Sequence, residues 1–130
     1  MDIRSRLGLL VTVGLLAAVP ALALAQGLPS GVTQDQVDKG KAVFTGAGNC
    51  YACHGQNAQG MLGPTTNLVN HQWLHSDGTY PAIAAYIKKG VTKEESKSGI
   101  PMPARGGSNI NDEQVNQVAA YVWSLSHGKK

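Results

Sequence analysis

Cysteine is nearly absent from this chain. There are two in 130 residues, three positions apart, so none is left for a disulfide elsewhere. Aromatic residues make up only 5%, with a single phenylalanine, whereas glycine occurs 16 times. A small domain of that composition buries a limited core, which leaves its centre short of apolar bulk. Charge is also sparse: 15% of residues are charged and the formal net charge is +3, with no dense basic stripe of the kind that binds nucleic acid. No apolar-polar alternation appears and no internal repeat is visible, so the chain reads as all-α.

What is present begins with one long apolar run. Arg4 and Arg6 precede residues 7–25, and the run ends in Ala23-Leu24-Ala25. A basic start, an apolar stretch and small residues spaced as Ala-x-Ala are the layout of a secretory signal peptide, with cleavage expected after Ala25. The rival reading is a retained anchor, because the run is just long enough to span a bilayer. Pro20 and the Ala-x-Ala ending favour cleavage. The mature chain then has about 105 residues, room for one domain. Expected divisions are a signal peptide at 1–25, a flexible Pro/Gly-bearing lead-in at 26–33, a domain at 34–127 and a tail at 128–130.

Both cysteines fall in Cys50-Tyr51-Ala52-Cys53-His54. Two thiols three apart with a histidine directly after the second form the attachment signature of a c-type haem. The sulfurs can add to the two porphyrin vinyl groups, and one helical turn carries the adjacent imidazole beneath the ring as proximal iron ligand. Such a cofactor would also supply the missing core. A thioredoxin-like pair is disfavoured by the loop formers Thr45-Gly46-Ala47-Gly48-Asn49, which replace the strand that such a pair follows. Zinc needs two more ligands, and only His71, His75 and His127 lie outside the motif. A disulfide within the motif would close too short a loop to matter.

Local signals predict three main helices with long loops. Thr33 is a good N-cap and Asp35 complements the dipole, so a helix is expected at 34–45, with Val37, Gly40, Lys41 and Phe44 at helical spacing. Glycine is costly inside a helix unless something packs closely on it, which marks Gly40 as a crossing point. Residues 55–67 carry Gly60, Gly63 and Pro64 and read as a loop wrapping one side of the ring. A short helix is expected at 67–74 with Leu68, Val69 and Trp73 turned inward, then a turn at Ser76-Asp77-Gly78. Thr79 and Pro81 start the next helix, Ile83, Ala84, Tyr86 and Ile87 form its apolar face, and Gly90 stops it after Lys88 and Lys89. Residues 92–109 form a long loop, stiff and apolar at Ile100-Pro101-Met102-Pro103. Asn111 with Gln114 makes a capping box for the last helix, whose buried stripe is Val115, Val118, Ala119, Val122 and Leu125. The end from His127 onward is expected to fray.

The second iron ligand decides the chemistry. A thioether or imidazole there gives a six-coordinate iron suited to electron transfer, and an open position gives ligand binding or catalysis. Candidates are Met61, Met102, His71 and His75. Met61 lies seven residues from His54 and would need a very tight wrap. Met102 lies in a loop that must return over the ring to start the last helix, and prolines on both sides lower the entropy it loses on folding. Met102 is therefore the expected distal ligand.

From residue 34 to 126 the chain resembles a small single-haem class I cytochrome c. The matching residues are Cys50-Tyr51-Ala52-Cys53-His54, Gly63-Pro64, Met102-Pro103-Ala104 and Ala119-Ala120-Tyr121-Val122. The resemblance implies that the first and last helices cross through Gly40, Phe44, Val118 and Tyr121. It implies haem attachment outside the cytoplasm, and a hydrogen bond from His54 Nδ1–H to the Pro64 carbonyl. The chain departs from the family by the inserted Thr65-Thr66-Asn67 before Leu68. It departs again at Arg105, where the family often has an aromatic. Arg105 is expected near a haem propionate, which Trp73 and Tyr80 could also reach.

The function expected is one-electron carriage in the bacterial periplasm by one haem c per chain, attached at Cys50 and Cys53 and ligated by His54 and Met102. It would serve exported or membrane redox proteins as a monomer, with no nucleic acid, small-molecule substrate or catalytic residue. Lys88, Lys89, Lys93 and Lys97 offer a docking patch for an acidic partner. The alternatives are a haem-bearing subunit of a dehydrogenase or terminal oxidase, and, behind it, a gas sensor or enzyme.

Overall fold

A computed structural model describes residues 27–127; the expected signal peptide and the tail at 128–130 lie outside the described residues. Four helices follow one another, α1 (Gln34–Thr45), α2 (Tyr51–His54), α3 (Tyr80–Lys89) and α4 (Asp112–His127), with a short 3-10 turn at Pro64–Thr66 and another at Ala104–Gly107. Among the described residues there is no strand, only an isolated antiparallel bridge between Val91 and Met102. No described helix is long and apolar enough to cross a membrane.

Helix α1 starts at a reciprocal capping box. The Thr33 hydroxyl accepts from Gln36 N–H at 3.3 Å and the Gln36 side chain accepts from Thr33 N–H at 3.0 Å. Asn111 and Gln114 do the same for α4, at 2.9 and 3.0 Å. Each cap contributes about 1 kcal/mol by satisfying amide donors that no helical carbonyl reaches. Pro81 sits in the first turn of α3 and Gly90 ends it at φ +71.

The main helix interface is α1 on α4, and α3 packs beside them on α4. Gly40 makes the crossing possible. A Cβ there would overlap the Gln117 backbone carbonyl and stand 3.0 Å from Tyr121 Cβ. Phe44, wholly buried, meets Tyr121 edge-on at 5.3 Å between centroids, and Val118 is buried beside them. These are the four residues expected at the crossing. Val115, Ala119 and Val122 complete the buried stripe of α4, and Leu125 packs on it from a partly buried position.

Two local expectations are corrected. No helix forms at 67–74. The Asn67 and Asn70 side chains accept from the amides of Val69 (2.8 Å) and Gln72 (3.1 Å), and His71 takes φ +59. These Asx turns give the backbone partners that a helix would otherwise supply. Leu68, Val69 and Trp73 still pack on the core. Within the segment expected as a lead-in, Val32 is buried and Leu28 packs on the core. His127 is helical, not frayed: its ring stacks on Trp123 at 4.4 Å and its Nδ1 lies 3.0 Å from the Trp123 carbonyl.

Candidate cofactor site

A cleft opens between α2, the 65–76 segment, α3 and the 98–103 strap, with about 1210 Å³ of atom-free space counting its mouth. Its floor is apolar, made by Phe44, Ile83, Ile87, Val118 and Val122. Cys50, Cys53, His54 and Met102 all line it. Residues separated by 52 positions in the chain thus share one wall system, with thiols and imidazole from α2 and a thioether from the strap.

Helix α2 is a single turn made rigid at both ends. Asn49 before it takes φ +52 and Gly55 after it φ +83. The chain then folds back on the helix, as Gly60 N–H donates to the His54 carbonyl at 2.7 Å and Met61 N–H to the Cys53 carbonyl at 2.9 Å. That fold-back turns the Met61 side chain outward, 68% exposed and away from the cleft. The backbone thus tucks in where the sulfur does not.

His54 is oriented by the Thr66 carbonyl, 2.7 Å from its Nδ1. A carbonyl can only accept, so Nδ1 carries the proton and Nε2 keeps a lone pair. Burial holds the imidazole pKa below its ordinary value and so favours the neutral ring, and the Thr66 bond opposes it with a smaller upward effect. The expected Pro64 acceptor is therefore replaced by Thr66. Pro64 begins the 3-10 turn, where its carbonyl accepts from Asn67 N–H at 3.2 Å, and the turn brings the Thr66 carbonyl to the ring instead. The inserted Thr65-Thr66-Asn67 is the signal that could have found it.

The two thiols differ. Cys50 is buried against the Gly48 carbonyl at 3.5 Å, and burial pushes its pKa up to about 11. Cys53 is exposed. Neither is in a disulfide.

Met102 is clamped by its backbone. Val91 N–H donates to the Met102 carbonyl at 2.7 Å and Met102 N–H to the Val91 carbonyl at 3.0 Å. Gly90 admits the strap: a Cβ there would overlap the Met102 carbonyl and sit 2.5 Å from Ala104 N. The sequence marked Gly90 only as a helix stop, and nothing local to Val91 announces a bridge.

Other candidates divide sharply. His71 is exposed and outside the cleft, whereas His75 lines it, stacked on Tyr86 at 5.5 Å with its Nε2 accepting from Lys97 N–H at 3.2 Å. Trp73 lines the cleft and Tyr80 does not. Arg105 is corrected: it turns away, donating to the Ile110 carbonyl at 2.8 Å and pairing with Asp112 at the start of α4. Two of the four patch lysines are engaged, Lys88 with Asp112 and Lys89 with Glu95 at 3.6 Å. Among the described residues no three His, Cys, Asp or Glu side chains group to hold an ion by themselves.

The donor set suits a haem: two thiols that can add to vinyl groups, a neutral imidazole with a bare Nε2, a thioether lining the same cleft and an apolar floor. Comparison with known proteins agrees. Residues 37–126 match the family model for cytochrome c. The cbb3-type cytochrome c oxidase subunit CcoP of Rubrivivax gelatinosus is 32% identical over 135 residues, covering 89% of this chain and 40% of that protein. The same subunit is 39% identical in Azospirillum brasilense, covering 60% of this chain and 28% of the relative. In Cereibacter sphaeroides the identity is 32%, covering 72% and 32%. The chain thus spans less than half the length of these relatives. No solved structure matches it. With most of its length inside the family match and the haem-attachment pentapeptide set in an apolar cleft, the chain belongs to the cytochrome c family of haem-binding electron-transfer proteins.

Proposed function

We propose that the cleft holds one haem c, tethered as thioethers by Cys50 and Cys53 and ligated by His54 and Met102, and that the protein carries single electrons between exported or membrane redox proteins. The observation that supports this most is the meeting of His54 and Met102 in one apolar cleft, each held by its own backbone or carbonyl contact. A bound haem would supply a ferric/ferrous couple. The protein's part is to hold both ligands still. The Thr66 carbonyl fixes the His54 ring and raises its basicity. The Val91 clamp keeps the Met102 segment in place in either oxidation state, which suits rapid electron transfer. Thioether ligation and the apolar floor both raise the potential, the floor by disfavouring the more charged ferric form.

The test is Met102→Ala in the haem-loaded protein. Haem content should stay full, the ferric spectrum should change, and the reduction equilibrium should fall by at least about tenfold, which is about 60 mV for one electron. Full haem with an unchanged spectrum would sink the Met102 assignment.

A second reading is favoured by the matched relatives, which are subunits of cbb3-type oxidases. Here the chain delivers electrons at one fixed interface of a terminal oxidase complex. Co-purification with a larger membrane complex supports it, whereas recovery as a free protein supports the mobile carrier.

A further inference from the structure

We propose that His75 is the residue through which proton concentration sets the reduction potential of this cytochrome. The inference rests on the cleft being the haem site. Among the described residues no Asp, Glu, Lys or Arg lines that cleft, and Arg105, the nearest expected cation, is spent on Ile110 and Asp112. A haem brings two carboxylates on the edge opposite its vinyl groups. Tethering the vinyl edge at Cys50 and Cys53 would send the acids away from α2, toward a wall whose donors include Gln72, Trp73, His75, Ser76, Tyr86 and Ser98. Of these, His75 alone can gain a positive charge. His54 is reserved for iron.

The surroundings of His75 make that role specific. Its Nε2 accepts from Lys97 N–H at 3.2 Å, so the neutral ring carries its proton on Nδ1, available as a donor. Tyr86 of α3 stacks on it, and burial holds that phenol above its ordinary range, so it stays neutral at moderate pH. Lys89 of α3 and Glu95 of the following loop share a shallow groove with His75 and pair with each other at 3.6 Å. Asp77, two residues on, is bound to the hydroxyl and amide of Thr79. A proton added at Nε2 would also turn an acceptor into a donor facing Lys97 N–H and loosen the 92–98 loop.

The sign follows from charge. A cationic His75 disfavours the ferric state, so the potential is higher in acid and falls as the ring loses its proton. Histidines change charge between pH 5 and 8. Over that range the reduction equilibrium should shift about three- to tenfold, or about 30–60 mV for one electron. The experiment is a potentiometric titration of the haem-loaded full chain from pH 5 to 9, as wild type, His75→Gln and His71→Gln. His71→Gln should keep the wild-type slope and His75→Gln should lose at least half of it, with haem absorption unchanged in both. A complementary NMR titration should find the His75 ring pKa higher in the ferrous than in the ferric protein. A slope retained in His75→Gln, or a wild type without slope, overturns the proposal. Failure of the cleft reading would show separately, as haem spectra unaffected by Met102→Ala.

Discussion

Replacing Gly90 by alanine should dislodge Met102 while leaving the cleft's chemistry intact. Gly90 ends α3 at φ +71 and ψ −169, a region essentially reserved for glycine, where another residue costs about 1–3 kcal/mol. The new methyl group would also overlap the Met102 carbonyl and crowd Ala104 N, both backbone atoms that cannot swing aside. Overpacking of that kind costs about 1–3 kcal/mol. A combined loss of about 2–6 kcal/mol is a large part of the roughly 5–15 kcal/mol by which a domain is stable. Gly99→Ala isolates the two effects, because Gly99 has φ +73 but nothing within 4 Å of the position its methyl would take. It should lose only the backbone share, about 1–2 kcal/mol. The assay is guanidinium unfolding of the haem-loaded proteins, with the ferric spectrum reporting the strap. At about 2–6 kcal/mol per molar in this denaturant, Gly90→Ala should lower the midpoint by about 1 M, more than twice the effect at Gly99. Equal midpoints would refute the idea that Gly90 is there to admit the Met102 strap.

Gly40→Ala tests the helix crossing in the same spirit. Alanine gains about 1 kcal/mol in helix propensity, yet its methyl must displace the Gln117 backbone, so a net loss of about 1–3 kcal/mol is expected in the same unfolding assay; a stabilised variant would show that α1 and α4 can separate freely. Asp112 gives an acid test: hydrogen bonds from Lys88 and then Arg105 hold its carboxyl below the ordinary value of 3.8. A depressed folded pKa adds stability that is present above the unfolded value and lost as pH falls through and below it. Thermal melts at pH 2–6 should therefore show a shallower acid loss for Asp112→Asn, and, because the pair is exposed, a smaller difference at high salt; identical profiles would remove the claim.

The pentapeptide, the helix starts at Thr33 and Asn111, and the stop at Gly90 were all legible in the sequence because each depends on chemistry within a few residues. The α1/α4 crossing was legible for a different reason: glycine in a helix is costly, so Gly40 had to answer to a partner. Where local signals competed, reading along the chain failed. At 67–74 the apolar spacing suggested a helix, but Asn67 and Asn70 hold the amides in Asx turns. At Arg105 the charge suggested a propionate contact, but the left-handed backbone at φ +55 and the nearby start of α4 offered a carbonyl and a carboxylate instead.

By itself, then, the sequence determined the attachment motif, the helical class and the candidate ligands, since these follow from residue type and short spacing. Only the tertiary structure decided which candidates line one cleft. It turned Met61 outward by hydrogen-bonding its amide back onto α2, and clamped Met102 to Val91 across the end of α3. It passed the His54 contact from Pro64 to Thr66, and left His75 as the one wall residue besides His54 that can turn cationic, in a cleft lined by no Asp, Glu, Lys or Arg among the described residues. Those outcomes rest on backbone hydrogen bonds and close approaches between distant segments, which residue type does not encode.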